Sequence, residues 1–222
     1  MVFFCVNFFA AEMAKDANEV ICPWADKDEI LRLYHNTEWG IPVHDDYKMF
    51  EYLSLECFQC GLSWRLMLKK RDVLKQCFSG FDYDRVAQYN ETTIQHILNT
   101  EGMIHSERKI RAVIHNATCY QRIREKYGSF CHYLWHFSAG KTILYDGHSQ
   151  GHFPISNGLS DKISRDLKKQ GFQYVGTITM YSHLQACGII NDHVKTCPCY
   201  QEIISNYPIV QKAREHEIYK RL

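Results

Sequence analysis

Helical periodicity is the feature of this sequence that most limits its fold, because apolar residues recur every three or four positions along most of the chain. Alternation with a period of two rarely lasts beyond a few residues, so strand signals are weak. Residues that favour helix N-caps precede the apolar stripes, and glycines follow them. The predicted helices begin at Asp26, at Asp45 or Asp46, at Ser63, at Ser106 and at Ser160, with two more over Phe130–Phe137 and Thr177–Cys187. This pattern predicts an all-α fold.

Two segments do not follow the helical pattern. Residues 138–158 are rich in glycine and lack periodicity, so we predict a long loop there. The last part of the chain, Glu202–Leu222, is predicted to be a charged, loosely attached helix. We therefore expect a poorly ordered N-terminal extension over residues 1–20, one globular domain over residues 21–200 and a charged tail over residues 201–222.

Length, charge and cysteine content exclude several classes of protein. The 222 residues suffice for one core, and no apolar run approaches the roughly 18 residues that span a bilayer, so we expect no membrane partner. The apolar start of the chain lacks a basic region, which favours an extension over a signal peptide. Because the net charge is only +1, any contact with nucleic acid must come from a local patch of positive charge. Ten cysteines in a chain of this size indicate reduced thiols and an intracellular protein, cytoplasmic in a bacterium, with a nuclear location left open.

The segment Gly171–Gly176 (GFQYVG) separates two predicted helices. Glycine at both ends allows a tight turn with positive φ, and the backbone amides of such a turn suit a phosphate group. Lys168 and Lys169 precede the turn and add positive charge. These features outline a helix-hairpin-helix element, which grips a DNA strand without reading its sequence. A plain αα-hairpin is the alternative.

Four residues form a candidate metal set. His193 and Cys197 are four positions apart, which places both side chains on one face of a helical turn. Cys22 and His35, far upstream, would complete a set of two cysteines and two histidines that matches tetrahedral Zn²⁺. Four protein ligands leave no open position, so such a zinc would be structural. The spacing alone leaves three rival ligands open, namely Cys57, Cys60 and Cys199.

Five segments of the chain resemble the DNA-3-methyladenine glycosylase I family and occur in the same order. They are Tyr34–Pro42 (YHNTEWGIP), Leu55–Trp64 (LECFQCGLSW), Leu68–Arg71 (LKKR), Gly171–Gly176 (GFQYVG) and Gln185–Val194 (QACGIINDHV). The resemblance implies an all-α fold of the helix-hairpin-helix glycosylase superfamily. It implies a monofunctional enzyme of base excision repair that hydrolyses the N-glycosidic bond of 3-methyladenine in alkylated double-stranded DNA and releases the free base. We expect this enzyme to act as a monomer.

The resemblance also assigns ligands and a base pocket. It implies one structural zinc per chain, and it selects Cys22, His35, His193 and Cys197 over the rival cysteines. Trp64 corresponds to the residue that stacks on the flipped base, Glu56 and Tyr34 correspond to residues that hydrogen-bond to it, and Trp24 and Trp39 correspond to further aromatic lining. Within DNA, 3-methyladenine is cationic, so a buried carboxylate and stacked tryptophans would attract it, whereas normal adenine carries no such charge.

The expected reaction needs little acid or base chemistry. Loss of neutral 3-methyladenine requires no proton, so Glu56 is expected to act through electrostatics while water attacks the sugar cation. Many members of the superfamily carry an aspartate two residues before the equivalent of His193, but Asn191 stands there in this chain and Asp192 follows.

DNA contact is expected from a plug and from basic residues. Gly61 and Leu62 are expected to fill the gap that the flipped base leaves in the duplex. The basic residues and hairpin glycines expected at the DNA are Lys69, Lys70, Arg71, Arg108, Lys109, Lys168, Lys169, Gly171 and Gly176.

Three residues depart from the family pattern next to the expected pocket. Cys57, Phe58 and Cys60 replace the small and polar residues common in the family, which puts the pocket wall in question. A catalytically inactive relative that binds alkylated DNA is therefore the main alternative function. A zinc-stapled helical interaction protein is a third hypothesis.

Overall fold

The computed structural model describes residues 21–150, 154–214 and 217–218. The predicted extension over residues 1–20 lies outside the described residues. The helices of the described part are α1 Glu29–Thr37, α2 Asp46–Gln59, α3 Trp64–Cys77, α4 Tyr83–Val86, α5 Glu91–Asn99, α6 Glu107–Tyr127, α7 Phe130–His136, α8 Gly158–Lys169, α9 Thr177–Ala186 and α10 Pro198–Asn206. Its strands are β1 Thr142–Tyr145, β2 Ser156–Asn157, β3 Ile209–Lys212 and β4 Glu217–Ile218.

The fold is mostly helical, and two small sheets qualify the all-α prediction. Strand β1 pairs in parallel with β3, so that Thr142 lies opposite Ile209, and β2 pairs antiparallel with β4. The predicted loop over residues 138–158 therefore contains two strands, and that prediction is wrong in part. The predicted helix over Glu202–Leu222 is wrong for the described residues beyond Asn206, where α10 ends. Strands this short show little alternation in sequence, and their partners lie far along the chain.

Helix boundaries follow the predicted caps with two corrections. Asp45, Ser63 and Ser106 occupy the N-cap positions of α2, α3 and α6, as predicted. Asp28 rather than Asp26 caps α1, because its side chain accepts a hydrogen bond from a first-turn amide. Helix α8 starts earlier than predicted. Its cap is Asn157, and Ser160 completes a capping box with it instead of starting the helix. The short helices α4 and α5 had no sequence prediction.

Helix α2 forms the centre of the molecule. Every residue from Met49 to Phe58 is buried, because α3, α6, α7 and α9 surround this helix. A helix that is buried on all sides contributes most of the core, yet this one carries two glutamates, Glu51 and Glu56. Their burial requires partners or a cavity, which makes α2 the element that positions the candidate site.

Gly188, directly after α9, is a point of close backbone approach. It has φ +75°, and a β-carbon there would lie 2.5 Å from the Pro42 nitrogen and 2.7 Å from the Gly40 carbonyl oxygen. Only glycine combines that backbone conformation with that contact. The contact holds the segment after α1 against the segment after α9, and both segments contribute to the site. Among the described residues, no helix has the length and apolar character needed to cross a membrane.

We predict that Gly188→Ala destabilises the protein by at least about 3 kcal/mol, because left-handed strain of about 1–2 kcal/mol adds to a backbone collision. Gly128→Ala is the matched control. Gly128 has φ +86°, but a β-carbon there meets nothing within 4 Å. Urea unfolding measures both free energies of unfolding. Equal losses in the two variants would show that the close approach is unimportant.

Candidate active site

A cavity of about 200 Å³ lies between α1, α2, α3 and α9. It is smaller than the roughly 300–1,000 Å³ of sites for drug-sized ligands, so it suits a single small ring system. Its lining is mostly aromatic and amide-bearing. The lining residues are Trp24, Tyr34, Trp39, Glu56, Gln59, Trp64, Ser182, Gln185 and Ala186.

All five residues predicted for the base pocket line this cavity. Trp24 and Trp39 meet edge to face with ring centroids 4.9 Å apart, and Tyr34 and Trp64 have centroids 5.4 Å apart. The hydroxyl of Tyr34 and the indole N–H of Trp64 are buried and have no hydrogen-bond partner among the described residues. Buried polar groups are rarely left unpaired, so both groups are available to a ligand in the cavity.

Glu56 places a carboxyl group in the wall of the cavity. The residue is only 4% exposed and lies near the end of α2. Burial raises the pKa of Glu56 to about 8, because the charged form loses its hydration. Burial also raises the pKa of Tyr34, so its hydroxyl keeps its proton and can donate. The cavity therefore offers one carboxyl group and, in Tyr34 and Trp64, two donors without a partner among the described residues.

Sequence reasoning missed four lining residues, Gln59, Ser182, Gln185 and Ala186. Gln59 follows Glu56 by three positions and so shares its helix face, which was a usable signal. The unusual residues Cys57 and Phe58 do not line the cavity. Both are buried in the core, Phe58 against Phe78 with centroids 5.6 Å apart. The departure from the family pattern therefore changes the core behind α2, and it leaves the cavity wall intact.

Four buried side chains converge beside the cavity. Cys22, His35, His193 and Cys197 each offer a ligand atom, and these atoms all lie within 4.8 Å of one another. The Nδ1 atom of His193 lies 3.1 Å from Nε2 of His35 and 3.5 Å from Sγ of Cys22. Two sulfurs and two imidazole nitrogens form a donor set that can hold a metal ion. The rivals Cys57, Cys60 and Cys199 are not in this cluster.

The far nitrogen of each histidine has a partner that orients the ring. The Nε2 of His193 lies 3.1 Å from the carbonyl oxygen of Trp39, to which it donates, and Nδ1 of His35 lies 2.7 Å from Oδ1 of Asn36. Each bond directs the remaining lone pair into the cluster, as outer hydrogen bonds do at metal sites. Burial lowers the pKa of His193, which keeps that ring neutral and able to ligate.

The hairpin between α8 and α9 has one glycine with positive φ. Gly171 has φ +94°, as predicted, but Gly176 is extended with φ −61°, and Tyr174 adopts the second positive φ at +56°. The side chain of Asn116 on α6 holds the turn, because it accepts from the Gln173 amide at 2.8 Å and donates to the Gln173 carbonyl at 3.0 Å. That amide is therefore committed within the protein. The N-terminus of α9 has no side-chain cap among the described residues, so its first amides lack the partner that a cap would supply.

Comparison with known proteins identifies the family. The family model described as methyladenine glycosylase matches residues 24–200. This chain belongs to that family. It is 38% identical over 179 residues to DNA-3-methyladenine glycosylase 1 of Escherichia coli, covering 81% of this chain and 96% of the relative. It is 34% identical over 178 residues to DNA-3-methyladenine glycosylase of Haemophilus influenzae, covering 80% and 96%.

Solved structures support the same assignment. A crystal structure of 3-methyladenine DNA glycosylase I (TAG) aligns with a TM-score of 0.77 and 38% identity, covering 81% of this chain and 99% of that one. TAG from Staphylococcus aureus, solved to explain 3-methyladenine recognition, aligns with a TM-score of 0.74 and 32% identity, covering 80% and 94%. The predicted family is confirmed, and the mostly helical fold is similar to that of TAG.

Asp192, the residue after Asn191, does not line the cavity in this member of the methyladenine glycosylase family. It is buried, and its Oδ2 accepts hydrogen bonds from the Tyr181 hydroxyl at 2.6 Å and from Nε2 of Gln185 at 2.7 Å. Asn191 accepts a hydrogen bond from the His193 amide. Both residues form hydrogen bonds around the segment that carries His193, and neither lines the cavity.

Two of the cations predicted to contact DNA are engaged inside the protein. Arg71 donates two hydrogen bonds of 2.6 Å to Glu38 and one of 2.7 Å to Glu51. Burial would raise the pKa of Glu38, but the Arg71 guanidinium lowers it to about 2. Lys109 donates to the carbonyl oxygens of Phe58 and Cys60 at 2.7 and 2.6 Å, and so caps α2. The other predicted basic residues lie at the surface, wholly or in part: Lys69, Lys70, Arg108, Lys168 and Lys169.

We predict that Glu56→Gln becomes increasingly stable relative to the wild type as the pH rises from 5 to 8. The Glu56 carboxyl has a pKa of about 8 in the folded protein and about 4.3 in the unfolded chain, so the folded state alone keeps its proton in this range. The wild type therefore loses stability by up to about 1.4 kcal/mol per pH unit through this group, and glutamine does not.

Urea unfolding at each pH gives the difference in free energy of unfolding. Glu125→Gln is the control, because Glu125 is exposed on α6. A difference between Glu56→Gln and wild type that does not change with pH would contradict the buried, protonated carboxyl.

Proposed function

We propose that this protein is a monofunctional DNA glycosylase that hydrolyses the N-glycosidic bond of 3-methyladenine in alkylated DNA. The observation that carries the proposal is the carboxyl group of Glu56 in a small cavity with aromatic walls. Relatives named DNA-3-methyladenine glycosylase cover most of the chain at 34–38% identity. The cavity has the size and polarity that a single flipped, cationic base requires.

Each cavity residue is proposed to make a different contact with the base. Trp64 is proposed to stack on the base, with Trp24 and Trp39 as further walls. The Glu56 carboxylate is proposed to accept a hydrogen bond from the exocyclic amine and to attract the positive charge of the base. The Tyr34 hydroxyl can donate to the edge of the base, since it has no partner among the described residues. Normal adenine would gain none of the charge attraction, so discrimination is partly electrostatic.

The reaction separates a cationic nucleotide into a neutral base and a sugar cation. The electrons of the C1′–N9 bond leave with the base, which becomes neutral 3-methyladenine without gaining a proton. A sugar oxocarbenium ion remains, and water adds to C1′ and releases a proton to the solvent. Ionised Glu56 is proposed as the catalytic residue because it stabilises positive charge in the cavity. Because burial favours the protonated form of Glu56, the cationic base is expected to displace that proton as it binds.

The DNA contacts are proposed from the surface around the cavity. Gly61 and Leu62 follow α2 directly, and we propose that they fill the gap left by the flipped base. Lys168 and Lys169 at the end of α8, with Gly171 and Gly176 in the hairpin, are proposed to hold one strand through its phosphates. The substrate is proposed to be double-stranded, and the enzyme is proposed to act as a monomer. Binding is expected to be modest and to weaken with salt, since few cations contribute.

The metal cluster is proposed to hold one structural Zn²⁺ per chain. Two cysteines and two histidines in a buried group fit this ion and leave no position for a water molecule or a substrate. When bound, the ion would join the segment before α1 to the segment after α9 and would take no part in the chemistry. The histidine orientations set by Trp39 and Asn36 favour ligation through the nitrogens that face the cluster.

We predict that the purified protein releases free 3-methyladenine from methylated DNA, and that Glu56→Gln lowers this rate by about 100-fold or more because the charge in the cavity is lost. The measurement is chromatography of the released bases under single-turnover conditions. Glu125→Gln, which changes an exposed glutamate, should keep the wild-type rate.

Two results would contradict this function. Wild-type excision by Glu56→Gln would remove the catalytic assignment. Tight binding of methylated DNA without base release by the wild type would favour the catalytically inactive relative over the enzyme.

We predict one equivalent of zinc per chain, lost in Cys22→Ser. Loss of the ion should lower the midpoint of thermal unfolding by about 10 °C or more, because ion binding contributes to folding. Elemental analysis and calorimetry measure the two effects. Cys77→Ser is the control, because Cys77 lies in α3 outside the cluster. Wild-type protein that is stable and free of metal would contradict the zinc site.

A further inference from the structure

The C-terminal part of the chain lies beyond the residues that match the family model, yet it is built into the fold. The Asp146 amide donates to the carbonyl oxygen of Lys212 at 3.0 Å, and the Ile155 amide donates to that of Ile218 at 2.8 Å. Strands β3 and β4 thereby attach to the two strands between α7 and α8. The expectation of a loosely attached tail therefore does not hold for its described residues.

A buried hydrogen-bond chain leads from this segment into the domain. Oε1 of Glu217 lies 2.8 Å from Nε2 of His148, and Nδ1 of His148 lies 2.8 Å from Oδ1 of Asp192. A carboxyl oxygen faces each ring nitrogen of His148, so both nitrogens are placed to donate, as they do in a doubly protonated imidazole. Burial by itself lowers the pKa of His148, but Asp192 and Glu217 raise it overall. The side chains of all three residues are at most 6% exposed.

The chain ends at the wall of the base cavity. Oδ2 of Asp192 accepts a hydrogen bond from Nε2 of Gln185 at 2.7 Å, and Gln185 lines the cavity. Because the carboxylate cannot donate, the amide nitrogen of Gln185 must face Asp192. The amide oxygen is then the group that Gln185 can offer toward the cavity. The orientation of this amide is therefore set from outside the cavity.

We infer that the C-terminal segment positions the Gln185 side chain in the wall of the base cavity through the buried chain of Glu217, His148 and Asp192. Glu217 is therefore a positioning residue, because it would act on a bound base only through His148, Asp192 and Gln185. The inference rests on the proposed function for the identity of the ligand. The hydrogen bonds themselves do not depend on that function.

Loss of the Glu217 carboxylate would weaken each bond in the chain. Without it, the Nε2 donor of His148 is buried without its partner, and the imidazole has one carboxylate instead of two to stabilise its charge. A neutral ring would bind Asp192 less strongly, and Asp192 would then hold the Gln185 amide in a less defined orientation. A cavity wall that is less well ordered should bind the base more weakly.

The test compares Glu217→Ala, Glu217→Gln and wild type in the full chain. The first readout is the dissociation constant of free 3-methyladenine, measured by quenching of the cavity tryptophans. We expect Glu217→Ala to weaken binding by about threefold to thirtyfold. Glu217→Gln should retain more of the affinity than Glu217→Ala, because its amide oxygen still accepts a hydrogen bond from His148 although the negative charge is lost. If Glu217 had a purely structural role, Glu217→Ala would lower the unfolding temperature, but Glu217→Gln would not restore the affinity for 3-methyladenine.

The second readout is the NMR signal of the Gln185 side-chain amide in ¹⁵N-labelled protein without ligand, assigned with Gln185→Leu. Glu217→Ala should shift or broaden this signal. Gln211→Ala is the matched control, because Gln211 on β3 donates to Asp146 at 2.8 Å at the exposed surface and lies outside the chain. This variant should leave both the signal and the affinity unchanged. Metal content is measured in each variant, because Asp192 precedes His193.

The outcomes separate the inference from the proposed function. An unchanged Gln185 signal and unchanged affinity in folded Glu217→Ala would overturn the inference. Wild-type protein that does not bind 3-methyladenine would count against the proposed function, while the amide signal would still decide whether the segment positions Gln185. If Glu217→Ala does not fold, Glu217→Asp replaces it, because its side chain is one methylene shorter and places the carboxylate farther from His148. The same two measurements, the affinity for 3-methyladenine and the Gln185 amide signal, then test the inference.

Discussion

The site depends on the burial of one carboxyl group in the central helix. The stretch of α2 from Met49 to Phe58 is buried, and a carboxylate there would be very costly without a partner or a space. Glu51 meets this constraint by pairing with Arg71 and Lys48. Glu56 meets it by facing a cavity and by favouring its protonated form. No described residue forms an ion pair with Glu56, and the proposed role of its carboxyl group is to receive a cationic ligand in the cavity.

The surroundings of the cavity are held by contacts between distant parts of the chain. The turn after α1 meets the turn after α9 at Gly188, and the cluster with Cys22 and His193 lies beside that contact. Trp24 and Trp39, two of the aromatic walls, flank α1 on either side and lie in the segments next to these contacts. Asp192 extends the arrangement, because it links the cavity residue Gln185 to His148 and to the C-terminal strand. The stretch of chain after α9 thus contributes two residues to the metal cluster and connects the cavity residue Gln185 to the C-terminal segment.

Local signals explain which predictions succeeded. Caps such as Asp45 and Ser63 act within one turn, so the sequence reveals them directly. The strands between α7 and α8 escaped prediction because β1 is four residues long and its partner β3 follows α10. Arg71 and Lys109 were expected at the DNA because a basic side chain in sequence shows its charge but not its partner. Their partners, Glu38 and the end of α2, become adjacent only on folding.

The sequence by itself determined the helical character, most helix boundaries and, through its family motifs, the residues that converge at the cavity and the metal cluster. Only the tertiary structure decided that Cys57 and Phe58 belong to the core and that Asp192 serves as a support. It also decided that the C-terminal segment reaches the cavity wall through His148. The reason is physical. Helix formation and capping depend on near neighbours, whereas burial, pKa shifts and hydrogen-bond partners depend on residues that only the folded chain brings together.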